Sequence, residues 1–174
     1  MRNSLKSDLW VKGRACLKVG AARLSLALVL ALLVVPGFVV APVLFANLDS
    51  RALAGHLAGI IFHMSNRGML ILLLAVALFW WKREAGRWRW MMLGAVACLV
   101  GVNEFVLSPV MEHLKSATGS IDALPSGDPQ RAEFGRWHGI SEVLHLLATF
   151  ISTALVALGQ PLGWSGNRED HCKP

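Results

Sequence analysis

The sequence predicts an all-α integral membrane protein, a four-helix bundle of transmembrane spans with both termini in the cytoplasm. Two observations predict this class: long apolar stretches, and basic residues concentrated on one side of them. The apolar stretches contain only three formal charges, Arg67, Glu104 and Glu142, and the whole chain is 16% charged, against about 25% in an average soluble domain. This segregation of charge excludes an ordinary soluble enzyme, a disordered chain and a disulfide-stapled secreted domain. The stretches are 24–46, 52–81, 90–111 and 137–167.

Each stretch is at least as long as the roughly 20 residues that carry a helix across a hydrocarbon core. Because lipid offers no partner to a free backbone amide, each span is expected to be helical. The first stretch has 23 residues and no charge. It is longer than the about 7–15 residues of a signal-peptide core, so it is interpreted as a retained anchor. The predicted transmembrane domain, 24–160, has its spans at about 24–46, 54–81, 90–111 and 136–160.

The basic residues predict the orientation of the spans. Twelve Lys and Arg residues lie in 1–23, 82–89 and 161–174, whereas four lie in the two links on the opposite side. Since basic residues are retained in the cytoplasm, 1–23 is predicted to be a basic cytoplasmic leader, of a composition that suits an interfacial helix, and 161–174 a cytoplasmic tail. The expected location is the bacterial inner membrane. The net charge of +6 reflects this topology, and no nucleic-acid partner is expected, because stacking aromatics are not interleaved with the basic residues.

Polar side chains recur at helical spacing inside three of the spans. A rise of about 1.5 Å per residue places four of them, on three helices, roughly 9–13 Å below the outer edge of the membrane. Imidazole and carboxylate groups suit transition metals, so this layer is predicted to be a metal site. The alternative is that these residues only hold the bundle together by ion pairs and hydrogen bonds. The predicted ligands are His63, Glu104, Glu142 and His145, and the buried charged and polar layer around them comprises Arg67, Asn103, His138 and Ser141.

Four small or cyclic residues are predicted to shape helix packing. Gly55 and Gly59 form a small-xxx-small pair in span two, which allows another helix to approach closely. Pro42 is expected to kink or end the first span, because proline removes a backbone hydrogen bond. Pro109 is assigned to packing in the third span.

Three segments carry a resemblance to a known family. They are residues 40–48 (VAPVLFANL), 54–62 (AGHLAGIIF) and 134–147 (FGRWHGISEVLHLL), supported by Asn103 and Pro109. The chain resembles the transmembrane protein 205-like family, a bacterial four-span membrane domain of unknown function, over roughly residues 24–160. The resemblance implies a four-span bundle in the inner membrane and no particular reaction. His145 departs from the family pattern, in which Asn is expected.

Three functions are compatible with these residues. The first is handling of a copper-like transition metal or a small solute through the His/Glu/Arg layer, by a homodimer because four spans are few for a transporter. The second is a membrane redox protein in which two histidines on facing helices hold haem b. The third is an accessory subunit of a larger membrane complex. An enzyme is not expected, because a continuous helix offers Ser141 no oxyanion hole, and the lipid bilayer is the expected partner in each case.

Overall fold

The computed structural model describes residues 20–81, 86–118 and 121–158. Within these ranges the chain is helical and has no strand, and four helices are long and apolar enough to cross a membrane. The predicted all-α class with four spans is therefore confirmed. The helices are α1 Gly20–Asn47, α2 Arg51–Trp81, α3 Arg87–Thr118 and α4 Pro129–Ala157.

The predicted flanking segments lie mostly or wholly outside the described residues. The leader 1–23 overlaps the described part only at residues 20–23, and the tail 161–174 does not overlap it. The interfacial helix predicted for the leader therefore lies outside the described residues. The side of the membrane on which the termini lie stays a prediction.

Helices α3 and α4 extend beyond the predicted spans at one end of the bundle. Helix α3 continues to Thr118, and α4 begins at Pro129. The side chain of the N-cap residue Asp128 accepts a hydrogen bond from the backbone N–H of Gln130 at 2.8 Å. Proline suits the first helical position because its missing N–H would have no partner there. The Asp128-Pro129 pair therefore starts a helix where the turn-forming residues alone predict a loop.

Two of the helices contain a π-helical segment beside prolines. In α1 the segment is Val35–Val40, which contains Pro36 and precedes Pro42. In α3 it is Asn103–Leu107, two residues before Pro109. Proline cannot donate the usual backbone hydrogen bond, and the chain changes helical register at these places and continues as α-helix. Such π segments are frequent at functional sites.

An apolar core fills the half of the bundle nearest Trp80. Its residues recur at intervals of three and four in α1, α2 and α3 and are seven apart in α4, the spacing of side chains that interlock between nearly parallel helices. The Trp80 and Trp90 rings meet edge to face at 6.1 Å between their centroids and connect α2 to α3. The core residues are Leu26, Val29, Leu33, Met69, Leu73, Val76, Trp80, Leu93, Val96, Val100, Ala148 and Leu155.

Candidate functional site

A buried carboxylate, Glu104, lies at the centre of the polar half of the bundle. Its side chain is only 2% exposed. Its Oε2 accepts hydrogen bonds from Asn66 Nδ2 at 3.2 Å and His63 Nδ1 at 3.0 Å, and its Oε1 accepts one from Arg67 Nε at 2.9 Å. The cluster joins α2 to the π-helical segment of α3. We call these four residues the Glu104 cluster.

The spacing of residues in α2 explains why three donors reach one carboxylate. His63, Asn66 and Arg67 are separated by three and four residues, so they project from the same side of the helix. A single buried charge is very costly in an apolar medium, but a paired and hydrogen-bonded one is tolerated. The guanidinium of Arg67 provides the opposite charge, and both oxygens of Glu104 are occupied by donors.

Arg67 itself is not buried within the single chain, contrary to its predicted place in a buried layer. Its side chain is 71% exposed. It lies on the outer surface of α2, on the same face as Met64 and Ile71, which are also exposed. The long aliphatic stem allows the charged end to reach Glu104 from outside, as arginine stems commonly do along apolar surfaces.

A second polar contact joins α3 to α4 at the neighbouring residue. Ser141 Oγ donates a hydrogen bond to Asn103 Oδ1 at 2.6 Å. Asn103 is buried and directly precedes Glu104. This contact places Ser141 at the depth of the Glu104 cluster. Three helices therefore contribute polar side chains at one level of the bundle.

His145 connects α4 to the backbone of α1. Its Nε2 lies 2.9 Å from the carbonyl oxygen of Leu33, and its ring meets Phe62 edge to face at 5.4 Å. A Cβ atom on Gly37 would lie 2.9 Å from the same Nε2. A larger residue at position 37 would therefore require the ring to move. Since a carbonyl oxygen can only accept, Nε2 donates the proton.

His138 and Glu142 form a pair on the surface of α4. The distance between His138 Nε2 and Glu142 Oε1 is 3.2 Å, and the side chains are 56% and 66% exposed. Phe134 stacks on His138 with 5.9 Å between the ring centroids. Glu142 is thus paired within its own helix, and His138 is exposed rather than part of a buried layer.

The four predicted metal ligands do not form one ligand set. The structure joins His63 to Glu104, but Glu142 pairs with His138 and His145 with a backbone carbonyl. Among the described residues, no group of three or more His, Cys, Asp or Glu side chains is arranged to hold a metal ion. Depth along a helix places residues in a layer, but rotation about the helix axis decides which of them meet. Transition-metal handling is therefore not supported.

The polar half of the bundle contains a partly open cavity of about 370 Å³. All four helices contribute to its walls, which combine apolar side chains with hydrogen-bonding ones. Apolar contributions include Phe38, Phe62 and Leu146. The polar side chains are those of His63, Asn66, Asn103, Ser108, Glu112, Lys115, His138, Ser141, Glu142 and His145.

The predicted small-residue pair of α2 faces this cavity. A Cβ atom on Gly59 would meet nothing within 4 Å, and one on Gly55 would lie 3.8 Å from the Phe45 ring. Both glycines line the cavity. Within the described part of the chain they leave space between helices, whereas the sequence predicted close approach of another helix.

Comparison with known proteins identifies the family. Residues 24–120, more than half of the chain, match the family described as Domain of unknown function (DUF4149). The chain belongs to the DUF4149 family. The match covers α1 from residue 24, all of α2 and α3, and the Glu104 cluster. It does not support the transmembrane protein 205-like name, which stays an expectation. No curated protein and no solved structure matches the chain.

Two features of this DUF4149 site were missed by reasoning from side chains. The Leu33 carbonyl is a backbone group and carries no sequence signal of its own. Gly37 did carry a sequence signal, because a glycine after a proline inside an apolar span indicates an unusual backbone or a close contact. Asn66, in contrast, lies three residues after His63, so helical spacing alone indicates that it shares the polar face of α2.

Proposed function

We propose that this DUF4149 chain is a multi-pass membrane protein that binds a small solute with an apolar body and a polar group. The solute occupies the cavity between the four helices. The observation that supports this proposal is the cavity itself, about 370 Å³ in volume and lined by polar side chains from α2, α3 and α4. Small-molecule sites are typically clefts of about 300–1,000 Å³ with mostly apolar walls and a few polar groups.

The chemistry of the walls favours a small molecule over a metal ion. The predicted ligands do not converge on one point. His63 pairs with Glu104, but Glu142 pairs with His138 and His145 with the Leu33 carbonyl. Polar groups in a membrane interior are costly and are found mainly where they face a cavity, a substrate path or one another. His63, Asn103 and Ser141 are held in place by hydrogen bonds and still line the cavity. They are therefore available to orient the polar part of a solute.

Filling the cavity is expected to abolish binding. Gly59→Leu places a side chain in open space at the cavity wall, because nothing lies within 4 Å of the Cβ position. Gly101→Leu is the matched control, since its Cβ position is equally open and it does not line the cavity. Native mass spectrometry of gently purified protein should show a retained small molecule in the wild type and the control, and none in Gly59→Leu. Equal retention by both variants would refute the proposed site.

We further propose that both termini lie in the cytoplasm of a bacterial inner membrane. The supporting observation is the excess of twelve basic residues on the terminal side over four on the other. A green fluorescent protein fused after residue 174 should fluoresce, and alkaline phosphatase inserted at residues 126–127 should be active. Active phosphatase at the C-terminus, with a dark fluorescent fusion, would show the opposite orientation.

A further inference from the structure

We infer that the cavity selects solutes that carry a hydroxyl group, which donates a hydrogen bond to Nε2 of His63. This inference rests on the proposed cavity-binding function and specifies the chemistry of its ligand. It follows from the positions of the protons in the Glu104 cluster.

The donors around Glu104 indicate its ionisation state. Three nitrogen donors converge on its two oxygens, and one of them belongs to the permanently charged guanidinium of Arg67. A carboxylate in this setting is ionised and can only accept hydrogen bonds. The proton between Glu104 and His63 therefore resides on Nδ1 of His63. The distance of 3.0 Å between Nδ1 and Oε2 fits such a bond.

The charges around His63 determine the state of its other ring nitrogen, Nε2. Arg67 already balances the charge of Glu104, so a protonated His63 would add an unpaired positive charge inside the membrane, which is unfavourable. With the proton on Nδ1, the uncharged ring has a lone pair and no proton on Nε2. The His63 side chain is 33% exposed and lines the cavity. This nitrogen thus presents an acceptor to a bound molecule.

Two neighbouring groups also direct their protons to the protein. Ser141 donates its hydroxyl proton to Asn103 Oδ1, and His145 donates its Nε2 proton to the Leu33 carbonyl. Both residues line the same cavity. Each retains a lone pair and lacks a free proton. A solute that can donate therefore matches this wall better than one that can only accept.

A hydroxyl is the donor that suits the setting best. An ammonium group also donates, but beside His63 it would bring an unbalanced charge, because the charge of Glu104 is already balanced by Arg67. A hydroxyl is neutral, and its oxygen can also accept from the amide of Asn103. The aromatic and aliphatic side chains of Phe38, Phe62 and Leu146 would surround the hydrocarbon part of such a molecule. The expected ligand class is a hydrocarbon, aliphatic or aromatic, with a hydroxyl at one end.

A matched pair of probes tests the inference directly. Para-pentylphenol and its methyl ether, para-pentylanisole, have the same hydrocarbon body, but only the phenol donates a hydrogen bond. Binding to the full chain in lipid nanodiscs is measured with both probes, each corrected for partition into protein-free nanodiscs. We expect the phenol to bind about tenfold more tightly, the effect of one good hydrogen bond. In ¹⁵N-histidine-labelled protein, the phenol should also shift the Nε2 resonance of His63, and the ether should not.

Two variants and the possible outcomes distinguish selection of a hydroxyl group by His63 from binding in the cavity as such. His63→Phe keeps a ring in the wall and should abolish the preference for the phenol, while His113→Phe, on the exposed face of α3, should preserve it. Equal affinity of the wild type for both probes would overturn the inference and leave cavity binding intact. Binding of neither probe would count against the cavity function itself. The wild-type comparison needs no variant, so a folding defect in His63→Phe does not affect it.

Discussion

Replacing Glu104 with alanine should lower the free energy of unfolding by about 3 kcal/mol, the largest effect expected of any polar substitution in this protein. The substitution leaves the charge of Arg67 without a partner inside the membrane and removes the acceptor of His63 and Asn66. Unfolding in mixtures of a mild detergent and dodecyl sulfate, followed by tryptophan fluorescence, measures the change.

Two further variants show whether the effect comes from the unpaired charge. Glu112→Ala removes a carboxylate of the same helix that forms an exposed pair with Lys115, and it should cost less than about 1 kcal/mol. The double substitution Arg67→Leu with Glu104→Leu removes both charges and should recover most of the stability, because replacing a whole pair is often neutral. A double variant as unstable as Glu104→Ala would contradict this account.

Gly37→Ala should destabilise the protein by about 1–3 kcal/mol, the usual cost of overpacking. The new Cβ would lie 2.9 Å from Nε2 and 3.3 Å from Cδ2 of His145. The ring would have to move, and its hydrogen bond to the Leu33 carbonyl would be lost. The same unfolding measurement applies. The expected loss is notable because alanine is by itself a better helix former than glycine.

Gly68→Ala is the matched control for this prediction. Its Cβ position lies 3.5 Å from Cδ1 of Leu32, an ordinary contact, so the change should be neutral or stabilising by up to about 1 kcal/mol. Combining Gly37→Ala with His145→Ala removes the clash, and the two losses should then be less than additive. Strict additivity would show that Gly37 acts through something other than the His145 ring.

The class of fold was predictable because it depends only on the length and charge of successive stretches of the chain. The length and charge of each apolar stretch define a span, and the structure has a helix at each one. The ends of α3 and α4 were harder to predict. Asp128 and Pro129 form a helix start that is visible in the sequence, but the surrounding turn-forming residues outweighed it.

The site was predictable only as far as depth along the helices determines it. A uniform rise per residue placed His63 and Glu104 in one layer, and the structure joins them by a hydrogen bond. The same calculation placed Glu142 there, but its position around the axis of α4 directs it to His138. The depth of a residue along a span gives no information about its direction around the helix axis. The contact of His145 with Leu33 could not be predicted from the sequence, because its acceptor is a main-chain oxygen beside a π-helical segment.

The pairing of Arg67 with Glu104 also has a consequence for how the chain enters the membrane during synthesis. The two residues are 37 positions apart on successive helices, so α2 reaches the membrane with its arginine before α3 brings the compensating acid. An arginine at the centre of a span adds about 2.5–3.5 kcal/mol to the free energy of insertion through the translocon. Helices α2 and α3 are therefore expected to insert as a hairpin, and the acid on the later helix retains the earlier one in the bilayer.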